Sequence, residues 1–324
     1  MNDEIKNEIK TKDHSLITFL VTAILSLFIP ALGIFAMIAV CAAVGAGLAA
    51  SHSPYRFAAV IPGCAGAWLG GMFFETSSVA ALGLYVISVL LGFVIAHSAK
   101  KHDSASAQVL KVSSLFALIF AVLGGMLIYS EFGSLTEAGK ALGDYLSSGF
   151  SATLDMMIKN DTTGKLSTVL GSISPDDIAR DIVMITPGIL LTACEVFGWI
   201  ASLLSRPIMT LYGRGDLRPM PPVITLPVSA AVIFAVSFVI SVFSSDALYY
   251  VLENLVMVMT PAFACAGVTA FRLYTRRSPG GKSVLVVILA IVLVLIQPAM
   301  IVYVLAAAGF AHTIRMGLES RMKK

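Results

Sequence analysis

Long apolar runs alternate with short polar connections along almost the whole chain. The runs cover residues 16–50, 57–74, 78–97, 108–130, 183–205, 223–243, 247–271 and 283–311. A helix needs about 20 residues, at 1.5 Å each, to cross a hydrocarbon core of roughly 30 Å, and most of the runs have that length. Ten-residue segments of alternating hydrophobicity, which are typical of outer-membrane barrels, are absent. The pattern predicts an all-α, polytopic transmembrane helix bundle.

Two of the runs have basic residues beyond both ends, so each would have to cross the membrane twice for both ends to lie in the cytoplasm. The first holds Pro30 and Gly33 near its middle, which predicts a hairpin or a sharply bent pair of helices. The last holds Gln297 and Pro298, where a missing backbone N–H favours a break. We therefore expect about eight to ten membrane segments, some of them broken by proline.

Basic residues indicate which connections face the cytoplasm, because Lys and Arg are retained on that side. They lie in the connections around residues 6–12, 56, 100–111, 206–218 and 272–282 and in the tail from 315 to 324. The turns around Glu75 and Asp246 contain neither Lys nor Arg. This distribution predicts a multi-pass membrane protein with both termini in the cytoplasm.

The chain is accordingly divided into five regions. They are a cytoplasmic tail (1–15), a first membrane group (16–130), an acidic extracytoplasmic loop (131–182), a second membrane group (183–311) and a basic cytoplasmic tail (312–324). Apolar residues between Leu142 and Ile158 recur at i, i+3 and i+4, which predicts an amphipathic helix within the acidic loop. That helix could lie on the membrane surface or cap the bundle, or simply cover it without any chemistry.

The segment before the fifth run carries the signals that start a helix. Ser174 can cap it, Pro175 suits the first helical position, and Asp176 and Asp177 favour the positive end of the helix dipole. This helix is expected to begin outside the membrane and to bend near Pro187 and Gly188.

Composition agrees with the membrane class. Of the 324 residues, 57% are hydrophobic and only 13% are charged, whereas soluble domains are about one quarter charged. The net charge of +3 is too small to indicate binding of nucleic acid. The four cysteines lie inside apolar runs without a CxxC spacing, which favours packing roles over metal binding or a disulfide.

One carboxylate stands near the middle of an apolar run. Glu195 lies eleven residues before Arg206, roughly 16 Å from the boundary of its run, and shares a helix face with Thr192 and Trp199. A charge at that depth costs at least about 2.5 kcal/mol, so the carboxyl should be neutral or paired. Either Glu195, Thr192 and Trp199, with Thr260 and Gln297, line a ligand pocket enclosed by helices that are interrupted at Pro187, Pro261 and Pro298, or a neutral Glu195 is a packing device between helices.

Small residues repeat every three or four positions on two of the predicted helices. Gly63, Ala67 and Gly71 form one such row, and Ala39, Ala43 and Ala46 lie on the first run. Such rows let helices approach closely, and internal packing is the usual outcome. Docking of a partner subunit through Ala39, Ala43 and Ala46 is the alternative.

Common catalytic and nucleotide-binding motifs are absent. The sequence contains no Walker A, GxGxxG, HExxH or GxSxG pattern, and its histidines are scattered near run ends. We expect neither enzymatic activity nor a cofactor or metal site, so ATP hydrolysis would have to come from a separate protein.

Three segments carry a likeness to a known family: "DIVMITPGILL", "RPMPPVITLP" and the closing "LIQPAMIVYVLAAAGFAHTIRMGLESRMKK". With these the chain resembles the YybS-like bacterial membrane proteins in a Pro-Pro-x-x-x-x-Pro element (Pro221, Pro222, Pro227) and in a closing helix with Gly309 and a basic tail. The resemblance implies a cytoplasmic-membrane protein. The architecture is also similar to substrate-binding subunits of energy-coupling-factor transporters, which dock through AxxxA faces.

Two hypotheses of function follow. The first is a small-molecule-binding subunit of a transporter, coupled to a separate ATPase or transmembrane module, in which Glu195, Thr192 and Trp199 contact the ligand. The second is a membrane scaffold or regulatory protein that acts through protein partners and binds no small ligand. Both place the chain in a lipid bilayer.

Overall fold

The computed structural model describes residues 15–50, 58–160, 174–211, 224–277 and 298–322. Within these ranges the regular structure is helical throughout. The helices are α1 (Ser15–Leu27), α2 (Ile29–Leu32), α3 (Ile34–Ala50), α4 (Ile61–Phe73), α5 (Ser78–Lys100), α6 (Ala105–Phe132), α7 (Leu135–Lys159), α8 (Pro175–Leu211), α9 (Val228–Phe243), α10 (Asp246–Arg277) and α11 (Pro298–Met322). The all-helical class predicted from the hydropathy pattern is confirmed.

Five of the described helices are long and apolar enough to cross a membrane. They contain the segments Ser78–Lys100, Ala105–Phe132, Pro175–Leu211, Asp246–Tyr274 and Met300–Glu319. Four shorter apolar helices cover Ile17–Leu27, Ile34–Ala50, Ala58–Phe73 and Val228–Phe243. Residues 278–297, where the break before Pro298 is predicted, lie outside the described part of the chain.

The chain divides into two compact units, and neither is a continuous stretch of sequence. Unit 1 comprises Met1–Phe116, Ala193–Val228 and Pro261–Lys324, and unit 2 comprises Ala117–Thr192 and Ser229–Thr260.

The core of unit 1 is built around α3. The chain turns back between α1 and α3 at Gly33, which has a positive φ of 52° that glycine adopts without strain. Thr18 of α1 lies against Gly47 of α3, so the two helices pack as an antiparallel hairpin. Almost every residue of α3 after Phe35 is buried. The bend predicted near Pro30 and Gly33 is therefore confirmed.

Glycines of α4 provide close approaches to two neighbouring helices. A Cβ atom on Gly70 would lie 3.0 Å from the Leu27 carbonyl carbon of α1, and one on Gly71 would lie 2.8 Å from the Ser78 nitrogen of α5. The predicted row thus packs internally.

The alanine row of α3 is also used inside unit 1. Ala43 and Ala46 are buried and Ala39 is half-buried. This agrees with internal packing, the usual outcome for such a row, and leaves little of the face for a docking partner.

A second close crossing joins α10 and α11. A Cβ atom on Gly309 would lie 2.6 Å from the Gly267 nitrogen and would overlap the Phe263 carbonyl oxygen. A Cβ atom on Gly267 would in turn lie 2.7 Å from the Leu305 carbonyl carbon. Two glycines facing each other thus bring the helix backbones into direct contact.

Unit 2 contains the amphipathic helix and the first half of α8. Helix α7 is capped by Ser134, whose Oγ accepts a hydrogen bond from Glu137 N at 3.2 Å. Helix α8 begins at Pro175, as its start signals predict, and the Ser174 Oγ accepts from Asp177 N at 3.3 Å. With 37 residues, α8 is roughly 56 Å long, which exceeds a hydrocarbon core of roughly 30 Å. Part of it must lie outside the core of a bilayer.

Candidate site: a groove between α7 and α8

Unit 2 holds a groove of about 840 Å³ between α7 and the first half of α8. Its walls are Ile128 at the end of α6, Leu135, Thr136, Ala138, Gly139, Lys140, Leu142, Gly143, Asp144 and Ser147 of α7, and Asp176, Ala179, Arg180, Val183, Met184, Thr186, Pro187 and Leu190 of α8. Small-molecule pockets have volumes of roughly 300 to 1,000 Å³ and mostly apolar walls. The groove meets both conditions.

The groove exists because α7 and α8 are antiparallel and small residues line the floor between them. Ser147 of α7 donates a hydrogen bond to Asp176 of α8, whereas Gly143 and Gly139, earlier in α7, both face Val183, later in α8. Cβ atoms on Gly139 and Gly143 would lie 3.7 and 3.9 Å from Val183 methyl carbons, which is ordinary contact. The glycines therefore leave space without forcing the backbones together.

The groove changes from polar to apolar along its length. In the antiparallel register, Asp144 and Ser147 lie level with the start of α8 at Asp176 and Arg180. The opposite end has Leu135, Ile128, Pro187 and Leu190. Asp176 and Arg180 precede the apolar run of α8, so the polar end of the groove lies at the polar start of this helix and the apolar end lies beside its apolar run.

Four charged side chains border the groove. Arg180 lies near the Tyr250 hydroxyl of α10, which donates a hydrogen bond to Asp181. Lys140 Nζ pairs with Glu137 at 3.0 Å in an exposed ion pair, which contributes little to stability. Asp144 forms no hydrogen bond or ion pair with another described residue.

Thr192, a predicted pocket residue, instead hydrogen-bonds across to α10. Its Oγ1 donates to the Met257 carbonyl oxygen at 3.1 Å. Because Pro261 has no N–H, that carbonyl lacks its usual donor four residues later in α10. The hydroxyl of Thr192 satisfies it, so α10 continues without interruption to Arg277. The predicted break at Pro261 is therefore wrong.

Replacing Thr192 by valine tests this role, because valine keeps the branched shape and removes the hydroxyl. We expect a loss of about 1 kcal/mol in the free energy of unfolding. In a Pro261→Ala background the restored N–H can reach Met257, and the loss should nearly vanish. A double-mutant cycle of unfolding in detergent measures this coupling.

The matched control is Thr186→Val, since the Thr186 hydroxyl bonds only Ile182 of its own helix, at 2.8 Å. Equal losses for Thr192→Val with and without Pro261 would contradict the assigned role.

Asn254 inserts into the backbone ladder of α8 next to Pro187. Its Nδ2 donates to the Met184 carbonyl oxygen at 2.9 Å, and its Oδ1 accepts from Gly188 N at 2.6 Å. In a regular helix, Gly188 N would donate to the Met184 carbonyl oxygen four residues earlier, and here Asn254 bonds to both of these groups. A Cβ atom on Gly188 would lie 3.0 Å from the Asn254 Cα, so only glycine allows this approach. Helix α8 continues through Pro187, and the predicted interruption there is also wrong.

The two cross-helix contacts also give the direction of the helices. From the Gly188–Asn254 contact to the Thr192–Met257 contact, the residue number increases along both α8 and α10. Within unit 2, α8 and α10 are therefore parallel. Helix α9, which lies between α8 and α10 in the sequence, connects two parallel helices if it runs once in the opposite direction.

The other residues predicted for the pocket are described unit by unit. Glu195 and Trp199 are half-buried in unit 1, where the Ser113 Oγ donates to the Glu195 carbonyl oxygen at 3.4 Å. Trp199 borders a cavity of about 10 Å³, which is the size of one water molecule. Thr260 is buried in unit 2 and donates to the Val256 carbonyl oxygen of its own helix at 2.7 Å. Gln297 lies outside the described residues.

Sequence reasoning missed two buried polar atoms near that small cavity. Gln108 Nε2 and Ser202 Oγ have no hydrogen-bond partner among the described residues. Ser202 lines the cavity together with Val109 of α6, one position after Gln108. The signal available in the sequence was Gln108 itself, a polar residue in the mostly apolar helix α6. Across the described ranges, no three His, Cys, Asp or Glu side chains form a group that could hold a metal ion.

The five long apolar helices define the class of protein: this chain is an integral membrane protein with several membrane-spanning helices. The chain belongs to the family described as "Predicted membrane protein (DUF2232)", whose model matches residues 16–311. No curated protein and no solved structure matches the chain.

Proposed function

We propose that the chain is the small-molecule-binding subunit of a membrane transport system, and that the groove between α7 and α8 binds the ligand. The observation that carries this proposal is the groove itself: about 840 Å³, with mostly apolar walls and a few charged side chains among them. Pockets that bind small ligands combine an apolar body with a few polar groups that orient the ligand.

The proposal includes the membrane and the topology. We place the chain in the bacterial cytoplasmic membrane with about eight to ten segments and both termini in the cytoplasm, on the basis of its basic connections. Helix α8 then enters from the outer face, and the polar end of the groove opens to the outside. A subunit with this orientation would capture its ligand from the outer interface.

Energy for transport would come from a separate ATPase, because the sequence has no Walker A motif. This division of labour is the one found in energy-coupling-factor transporters, and the likeness to YybS-like proteins is compatible with it. Glu195 is then a candidate for a step after binding, since an ionisable residue inside an apolar helix is a functional candidate by default.

A groove-filling variant tests the proposal directly. Tryptophan in place of Gly143 would occupy the groove, because Gly143 lines its wall and faces open space apart from Val183. We expect Gly143→Trp to weaken ligand binding at least tenfold, which corresponds to about 1.4 kcal/mol. The measurement is the rise in melting temperature of the detergent-purified chain with a panel of vitamins, nucleobases, amino acids and single-chain amphiphiles.

The matched control is Gly149→Trp on the same helix. Gly149 has no atom within 4 Å of a built Cβ and does not line the groove, so this variant should bind like the wild type. A ligand lost in Glu195→Gln but retained in Gly143→Trp would move the site to Glu195. If no compound raises the melting temperature of the wild type, the binding function fails, and a scaffold or regulatory role becomes the better hypothesis.

A further inference from the structure

The groove is lined by charges of both signs, which restricts the kind of polar group that fits. Lys140 and Arg180 are basic and Asp144 and Asp176 are acidic, and Lys140 already pairs with Glu137 at 3.0 Å. An anionic group placed there would gain from Arg180 and lose to the two carboxylates, and the reverse holds for a cation. A group that carries both charges can satisfy Arg180 and the carboxylates together.

The four side chains are arranged so that each helix supplies one charge of each sign. Asp144 and Lys140 are four residues apart on α7, and Asp176 and Arg180 are four residues apart on α8, so each pair lies on one helix face. The hydrogen bond from Ser147 to Asp176 holds the two faces together at this end. Asp144, which has no partner among the described residues, is available to a ligand.

The rest of the groove suits an acyl chain. From Asp176 to Leu190 the groove follows α8 for about 21 Å, which is somewhat longer than one leaflet of the hydrocarbon core, about 15 Å. Val183, Met184, Pro187 and Leu190 form the apolar part, and the polar part lies at the polar start of α8. A lipid of one leaflet would therefore place its head and its tail at the corresponding ends.

We propose that the ligand is a membrane lipid with a zwitterionic phosphate–ammonium headgroup. The ammonium contacts Asp144 and Asp176, the phosphate contacts Arg180, and an acyl chain lies along Val183 to Leu190. This inference rests on the proposed binding function of the groove and specifies its substrate class.

The test is native mass spectrometry of the full chain in detergent with three lipids of equal acyl chains. The lipids carry a phosphoethanolamine head, an anionic phosphoglycerol head or the uncharged glycerol of a diacylglycerol. We expect the phosphoethanolamine lipid to bind at least tenfold more tightly than either of the others. Asp144→Lys should reverse the preference toward the phosphoglycerol lipid, whereas Asp155→Lys, elsewhere on α7, should leave it unchanged.

Each other outcome overturns the inference in a distinguishable way. Tighter binding of the phosphoglycerol lipid or of diacylglycerol by the wild type would refute the zwitterionic head and leave the groove as a binding site. If no lipid binds but a soluble compound does, and Gly143→Trp blocks it, the lipid class is wrong and the proposed function stands. A preference unaffected by both Asp144→Lys and Gly143→Trp would place lipid binding outside the groove.

Discussion

Leucine in place of Gly309 should prevent α10 and α11 from packing and should cause the largest loss of stability of any single change considered for this chain. A Cβ atom at this position would lie 2.6 Å from the Gly267 nitrogen and would overlap the Phe263 carbonyl oxygen. Both are backbone atoms, which cannot move aside as a flexible side chain can. We expect a loss of about 3 kcal/mol or more in the free energy of unfolding.

Intrinsic helix propensity alone predicts that Gly309→Leu increases the free energy of unfolding, because glycine is about 1 kcal/mol less favourable than alanine in a helix and leucine is close to alanine. The control is Gly83→Leu in α5, where a built Cβ has no atom within 4 Å. It should fold as well as the wild type. The measurement is the melting temperature and the monodisperse fraction in detergent. Equal behaviour of Gly309→Leu and Gly83→Leu would disprove the close crossing.

Much of the fold could be predicted because single-helix properties determine it. Hydropathy alone located the long helices, since every backbone polar group in a bilayer must be satisfied within its own segment. The start of α8 at Pro175 follows from Ser174 and the two aspartates, which act within one turn. The spacing of Gly63, Ala67 and Gly71 similarly indicated a close approach, although it could not identify α5 as the neighbour.

The groove could not be predicted from the sequence, because it depends on the register between two helices. The amphipathic pattern of α7 indicates an apolar face, and nothing in that pattern specifies what the face covers. Gly139 and Gly143 become the floor of a groove only because they face Val183 of an antiparallel α8. The same limit applies to Glu195: its depth follows from its position in the run, whereas its neighbours depend on how other helices pack.

The predicted proline breaks failed for a related reason. Sequence rules assign a cost to a proline inside a helix, and they cannot anticipate a donor that arrives from another helix. Here Thr192 supplies that donor for the carbonyl freed by Pro261, and Asn254 bonds the backbone of α8 beside Pro187. Thr192, which the sequence suggested as a ligand contact, thus bonds the backbone of one proline-containing helix, and Asn254 bonds the backbone of the other.

Leucine in place of Asn254 is expected to loosen α8 from α10 within unit 2. The two side chains have similar size, but leucine leaves Gly188 N–H and the Met184 carbonyl without their cross-helix partners. Interhelical hydrogen bonds in membranes contribute about 0.6 kcal/mol on average and up to about 1.7, and a polar group left buried and unsatisfied costs about 1 to 3 kcal/mol. We expect a loss of about 2 to 4 kcal/mol in the free energy of unfolding.

The effect should be specific to the inserted amide. Asn160→Leu introduces the same change at an exposed position after α7, where the backbone N–H makes the capping bonds to described residues, and it should cost less than about 0.5 kcal/mol. Hydrogen exchange gives a second measurement, because the amide of Gly188 should lose protection in Asn254→Leu and keep it in Asn160→Leu. If the Gly188 amide stays protected in both variants, the helix satisfies that position by itself, and Asn254 does not hold α8 together beside Pro187.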